Sequence, residues 1–153
     1  MSTNATTLVT IDRVAEALAG HDITVETDAS GRAAHANLNG YNVLFVLLDS
    51  VLIARADAAT ETPSDTPDPT VYLAANQINS SFLDGRALVV NKGDQLVIRT
   101  ESEHQVAAGM TDEQLSSALK RSLDGIMRGQ DAMHALIEEI TKARDSAEAQ
   151  DNA

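Results

Sequence analysis

The side chains that could move a proton near neutrality are few: His21, His35, His104 and His134, in a chain of 153 residues with no cysteine. None of the four stands at the HxH or HExxH spacing that one strand or one helical turn needs to present two imidazoles to a metal. His134 and Glu138 lie four apart on a helix face, a spacing we read as an exposed ion pair and not as a ligand set. His35, between two alanines in a strand-like stretch, reads as a half-buried, hydrogen-bonded side chain. The lack of cysteine removes thiolate nucleophiles, thiolate metal ligands and disulfides, and suits a reducing compartment. No GxSxG elbow, GxxxxGK[ST] loop or GxGxxG turn occurs, so neither a hydrolase nucleophile nor a phosphate cradle has a candidate. Carboxylates are so abundant that pairs of them arise by chance. The expectation is a protein that is not an enzyme, with no catalytic residue, no metal and no cofactor.

Charge narrows the partners. Eleven basic residues against 23 acidic ones give a formal net charge of −12, a field that repels nucleic-acid phosphates and anionic lipid surfaces. The longest apolar run, Val43 to Leu48, is far too short to cross a bilayer. The first ten residues carry neither a basic residue nor an apolar stretch, unlike a secretory signal, and the expected location is cytoplasmic. A protein partner or self-association is what remains.

The elements that would carry such a surface can be followed along the chain. Ile11, Val14 and Leu18 share a helix face, with Thr10 as N-cap, Gly20 as a left-handed C-terminal residue, and Val9 and Val14 as a hydrophobic staple. Residues 23–27 and 32–38 alternate as strands around the turn 28–31. Asn39-Gly40, a type I′ hairpin signal, leads into the strand 41–48. Asp49-Ser50 either reverses the chain before 51–55 or bulges one long strand. Residues 57–69 hold three prolines, four acids and no base, and read as an acidic surface loop. Asp68-Pro69 opens a helix running to Phe82. Residues 86–90 and 95–100 form a second hairpin around 91–94, with Leu88, Val90, Leu96 and Ile98 as its inward side chains.

Thr111 and Gln114 make a capping box for a last helix, in which Leu119, Leu123, Ile126, Gln130, Met133, Ile137 and Ile140 follow a four-three alternation. All but Gln130 of this stripe are assigned to a partner or dimer surface. Gly125 and Gly129 each cost a helix interior about 1 kcal/mol, which leaves open a continuous helix or a kink or break near Gly129. The fold class is α+β: an antiparallel sheet of about five strands with helices on one face, in the order α-β-β-β-α-β-β-α. A single domain over 8–140 is expected, with flexible termini at 1–7 and 141–153.

Several stretches in this order resemble the YbjN family, bacterial proteins described as sensory transduction regulators and similar in fold to type III secretion chaperones. They are Ile11 to Leu18, the helix segment Ala74-Ala75-Asn76-Gln77-Ile78-Asn79, the hairpin Ala87 to Arg99, and Gly109 to Leu115. The resemblance implies no enzymatic activity and a binding or regulatory role. It also matches Asn76 and Asn79 to the family's asparagine pair, read here as a structural polar tie, since Asn inside an apolar helical stretch serves best by holding backbone groups. The expected function is a non-enzymatic, chaperone-like module binding a protein through its sheet or last helix. The alternative is a small-ligand sensor with a cavity between helix and sheet.

Overall fold

The computed structural model of the protein describes residues 5–82 and 84–152. Helix α1 (Ile11–Ala19) is followed by strands β1 (Glu26–Thr27), β2 (Ala33–Leu38), β3 (Tyr41–Leu48) and β4 (Val51–Pro63). Then come α2 (Thr70–Ser81), β5 (Arg86–Lys92), β6 (Gln95–Gln105) and α3 (Asp112–Asp151). The six strands form one antiparallel sheet in the order β1-β2-β3-β4-β6-β5. Asn39 and Gly40 have φ of 53° and 85°, the positive pair that a type I′ turn demands.

Several expectations are corrected. Of the two alternatives at Asp49-Ser50 the reversal is the one observed, which makes β4 a separate strand and brings the sheet of about five strands to six. Most of the expected acidic loop is strand, because β4 runs on to Pro63 and pairs with β6 up to a register shift between Ala59 and Pro63. Gly20 is right-handed, and Asp22 (φ 62°) takes the left-handed position. The β5–β6 turn is two residues, with Gly93 at φ 68°, so β5 extends to Lys92 and pairs Leu88 with Arg99 and Val90 with Val97. Alternation then points Ala87 and Val89 inward beside Leu96 and Ile98, and turns Leu88 and Val90 to the opposite face.

All three helices cover one face of the sheet. Val14 and Leu18 of α1 and Leu115, Leu119, Leu123 and Ile126 of α3 close over Val43, Phe45, Leu52 and Ala54. Val71, Ala74, Ala75 and Ile78 of α2 and Met133 of α3 close over Ala87, Leu96 and Ile98, with Ile137 and Ile140 partly buried at that margin. The α3 stripe assigned to a partner surface is therefore part of the protein's own core, Leu119, Ile126 and Met133 being 0% exposed. A heptad-like repeat cannot tell a partner helix from a sheet, since either buries the same stripe.

Helix α3 is continuous through both glycines and to Asp151, beyond the expected fraying point. Gly125 lies against the Asp84 carbonyl, where a β-carbon would clash, and at Gly129 one would stand 3.0 Å from Thr100 Cγ2. These glycines mark where the helix descends onto the sheet and the α2–β5 turn. Beside them, buried Gln130 donates from Nε2 to Ala56 O (2.8 Å) and Ile98 O (3.1 Å), clamping β4 and β6. Thr100 Oγ1 donates to Ile126 O at 2.8 Å. The C-terminal turns are tied by Arg144, 2.6 Å from Asp68, which also accepts from the Thr70 backbone and hydroxyl. Arg144 first, then Thr70, holds the Asp68 carboxyl well below the usual carboxylate range. Of the expected flexible N-terminus, residues 1–4 lie outside the described residues, and Thr7 bridges to Met110.

Asn79 does act on backbone, as a substitute strand. Its Oδ1 accepts from Ala87 N at 2.7 Å and its Nδ2 donates to Ala87 O at 3.0 Å, occupying the outer rung of the edge strand β5. Asn76 is exposed and takes part through its carbonyl, which accepts from Ser80 Oγ, so the two asparagines do not form a joint tie. Asn79→Ala is expected to cost about 1 kcal/mol in urea denaturation and to speed hydrogen exchange at Ala87, while Asn76→Ala stays within about 0.5 kcal/mol.

Candidate functional site: the uncovered sheet face

Among the described residues every helix lies on one side, which leaves the other face of the sheet bare. Antiparallel sheets commonly leave one face to solvent, and their strands then alternate apolar-in, polar-out. Strand β3 departs from that rule. Val43 and Phe45 point into the core, and the intervening Leu44, Val46 and Leu48 point out. In β4, Val51 and Ile53 join them, paired in register as Leu48 with Val51 and Val46 with Ile53. Leu48 is 47% exposed. Leu88 and Val90 of β5 form a second, half-buried aliphatic strip on the same face, beside Val97 of β6, which is only 7% exposed.

A charged ladder crosses between the strips. Glu101 of β6 is only 6% exposed and accepts from two guanidiniums: Arg55 on β4 (2.8 and 3.1 Å) and Arg86 on β5 (3.0 and 3.2 Å). The three stand on one cross-strand row. One row along, Arg99 grips both oxygens of Asp57 at 2.7 and 2.8 Å, and this bidentate bond raises the Arg99 pKa. At the far edge His35 meets Glu26 at 3.1 Å. His35 is exposed, not half-buried as expected, because β2 turns it to the bare face.

Where β5 begins, a cavity of about 330 Å³ opens between β6 and α3, lined by Asp84, Gly85, Arg86, Glu101, Ser102, Glu103, His104 and Arg121. Carboxylates and an imidazole meet here, but Glu101 is already held by two arginines, and His104 is turned elsewhere. Its Nε2 lies 2.6 Å from Ser122 Oγ, which donates to Ser102 Oγ at 3.1 Å, a polar tie between α3 and β6. Ser122 is fully buried, so its hydroxyl is closed to a substrate. His134 stacks on Tyr41 (centroids 6.2 Å apart), and Glu138 pairs with Lys142 at 2.9 Å, so the expected His134–Glu138 ion pair gives way to two other contacts. Among the described residues no group of three His, Asp or Glu side chains could hold a metal ion, and no helix is long and apolar enough to cross a membrane.

Burial lowers the His104 pKa below its usual 6.5, a hydrogen bond to the Ala118 backbone opposes the shift, and the Arg121 charge adds to it. The unfolded chain, with the higher pKa, takes up the proton first as pH falls. Stability is thus expected to be flat above about pH 7.5 and to decline from about pH 6.5 downward, through the folded-state pKa. Melting temperatures measured across that window, with His104→Gln removing this part of the slope, check the sign.

The fold and the bare face define a class: an α+β protein with helices on one side of an antiparallel sheet and a mixed aliphatic and paired-charge surface on the other. The chain belongs to the YbjN family, whose model, described as "Putative bacterial sensory transduction regulator", matches residues 10–135. Among solved structures it is similar to YbjN from E. coli, described as a putative transcription regulator. That match has TM-score 0.62 and 17% identity, and covers 92% of this chain and 97% of that one. It is also similar to the Yersinia pestis type III secretion chaperone SycH, solved in complex with a stable fragment of YscM2. There the TM-score is 0.46 and the identity 15%, covering 76% of this chain and 96% of that one. No curated protein matches the chain.

Proposed function

We propose that this chain is a non-enzymatic regulatory module that docks a protein through the bare face of its sheet. The observation that carries this is the β3–β4 hairpin, apolar on both sides while the fold covers one. A sheet with apolar residues on both faces is ordinarily covered on both, and here Leu44, Val46, Val51 and Ile53 are left half-buried around the exposed Leu48. Membership of a regulator family supports the same reading. Ile53→Lys places a charge in the strip opposite Glu103, its register partner, and so keeps an intramolecular pair. Cross-linked capture from the native lysate is expected to return partners with the wild-type chain and to lose them with Ile53→Lys. Equal capture by both would overturn the proposal.

A second reading has its own observation, the cavity between β6 and α3. At about 330 Å³ it could hold a small polar metabolite. A ligand that binds only the folded state raises the melting temperature by mass action, so a thermal-shift panel separates the two readings.

A further inference from the structure

We propose that the occupant of the bare face is the same face of a second copy of this chain, packed sheet on sheet. The inference rests on the docking reading above and names its partner.

Charge is the first argument. The chain carries −12, yet the ladder on this face is balanced: Arg55, Arg86 and Arg99 stand against Asp57, Glu101 and Glu103. Lys92 and Glu26, on the same face, cancel as well. Apart from Glu61, which stands beyond the register shift in β4, the excess negative charge therefore lies on the helices and connections. Two copies of a strongly acidic chain repel, and they approach at least cost through the surface that adds nothing to the repulsion. A basic partner would instead be drawn to the acidic side.

Area is the second. Six strands about 4.8 Å apart, with β3 eight residues long at about 3.3 Å per residue, make a face of roughly 750 Å². A standard stable interface takes about 800 Å² from each partner, so one copy's sheet is the right size for another's. A single docked helix, about 10 Å across, covers one aliphatic strip and leaves the other wet. A two-fold axis lying in the interface and crossing the ladder sets strip on strip and ladder on ladder, an isologous contact that closes at two copies.

The test is sedimentation equilibrium of the full chain from low micromolar to sub-millimolar concentration. The expected mass rises to twice the monomer's 16.2 kDa. Ile53→Lys and, in a side chain already half exposed, Leu48→Lys are expected to hold the mass at the monomer value with an unchanged far-UV circular dichroism spectrum. Because Leu48 is 47% exposed, its replacement leaves folding intact even if Ile53→Lys disturbs it. A monomer at every concentration overturns the inference, as does a dimer that survives both substitutions. A monomeric chain whose lysate partners are still lost with Ile53→Lys would leave the docking reading standing without self-association, and unchanged capture would remove both.

Discussion

Gly125→Ala is expected to lower the melting temperature by up to roughly 8 °C, although Ala is the better helix former. In an exposed helix the change would stabilise by about 1 kcal/mol. Here the added methyl meets the Asp84 carbonyl, a backbone atom that cannot rotate away, so α3 or the α2–β5 turn must shift. Overpacking of that kind costs about 1–3 kcal/mol, occasionally more, and in a chain of this size each kcal/mol is worth about 2–4 °C. Gly129→Ala is expected to cost less, because its neighbour is the Thr100 methyl. Thr100→Ser removes that methyl and keeps the hydroxyl that donates to Ile126 O. Adding it should recover most of the loss at position 129 and none at 125, a coupling that a double-mutant cycle reads directly. An increase in melting temperature for Gly125→Ala would mean that α3 does not pass so close to the turn.

Glu101→Ala is the second large effect, about 2–3 kcal/mol in urea denaturation. Removing one partner of a fully buried ion pair costs about 3–5 kcal/mol, because the other charge is left unpaired out of water. The cost here is smaller because the arginines are unequal. Arg86 is 57% exposed and rehydrates when the carboxylate leaves, whereas Arg55 is 25% exposed and stays between strands. The same asymmetry sets Arg86→Ala below about 1 kcal/mol. If Glu101→Ala and Arg86→Ala cost the same, the ladder is a surface pair and not a half-buried one.

The seam in α3 was legible as a stripe and misassigned as a surface. Leu119, Leu123, Ile126 and Met133 show their common face through spacing, and spacing carries no information about what covers it. Gln130, the polar break in that stripe, sits where β4 and β6 offer carbonyls to its amide, a contact between residues 74 and 32 positions apart that local pattern cannot foresee. The glycines at 125 and 129 looked like weak points for the same reason. Their use depends on Asp84 and Thr100, which the fold brings to them. The hairpin 86–100 was legible, but the expected inward set took even positions from both strands, whereas this register pairs each even position with an odd one, so with Leu96 and Ile98 inward it is Ala87 and Val89 that face the core and not Leu88 and Val90. That reversal hid the second aliphatic strip of the bare face.

What the sequence determined by itself was local or additive. The α1 and α3 caps at Thr10 and Thr111 and the Asn39-Gly40 turn each follow from residues within a few positions of one another. The net charge of −12 is a sum that no fold alters. Tertiary structure decided which side of each strand met the helices. A strand such as β3, apolar on both sides, buries either face equally well until the whole sheet chooses one, and that choice leaves Leu44, Val46 and Leu48 facing out.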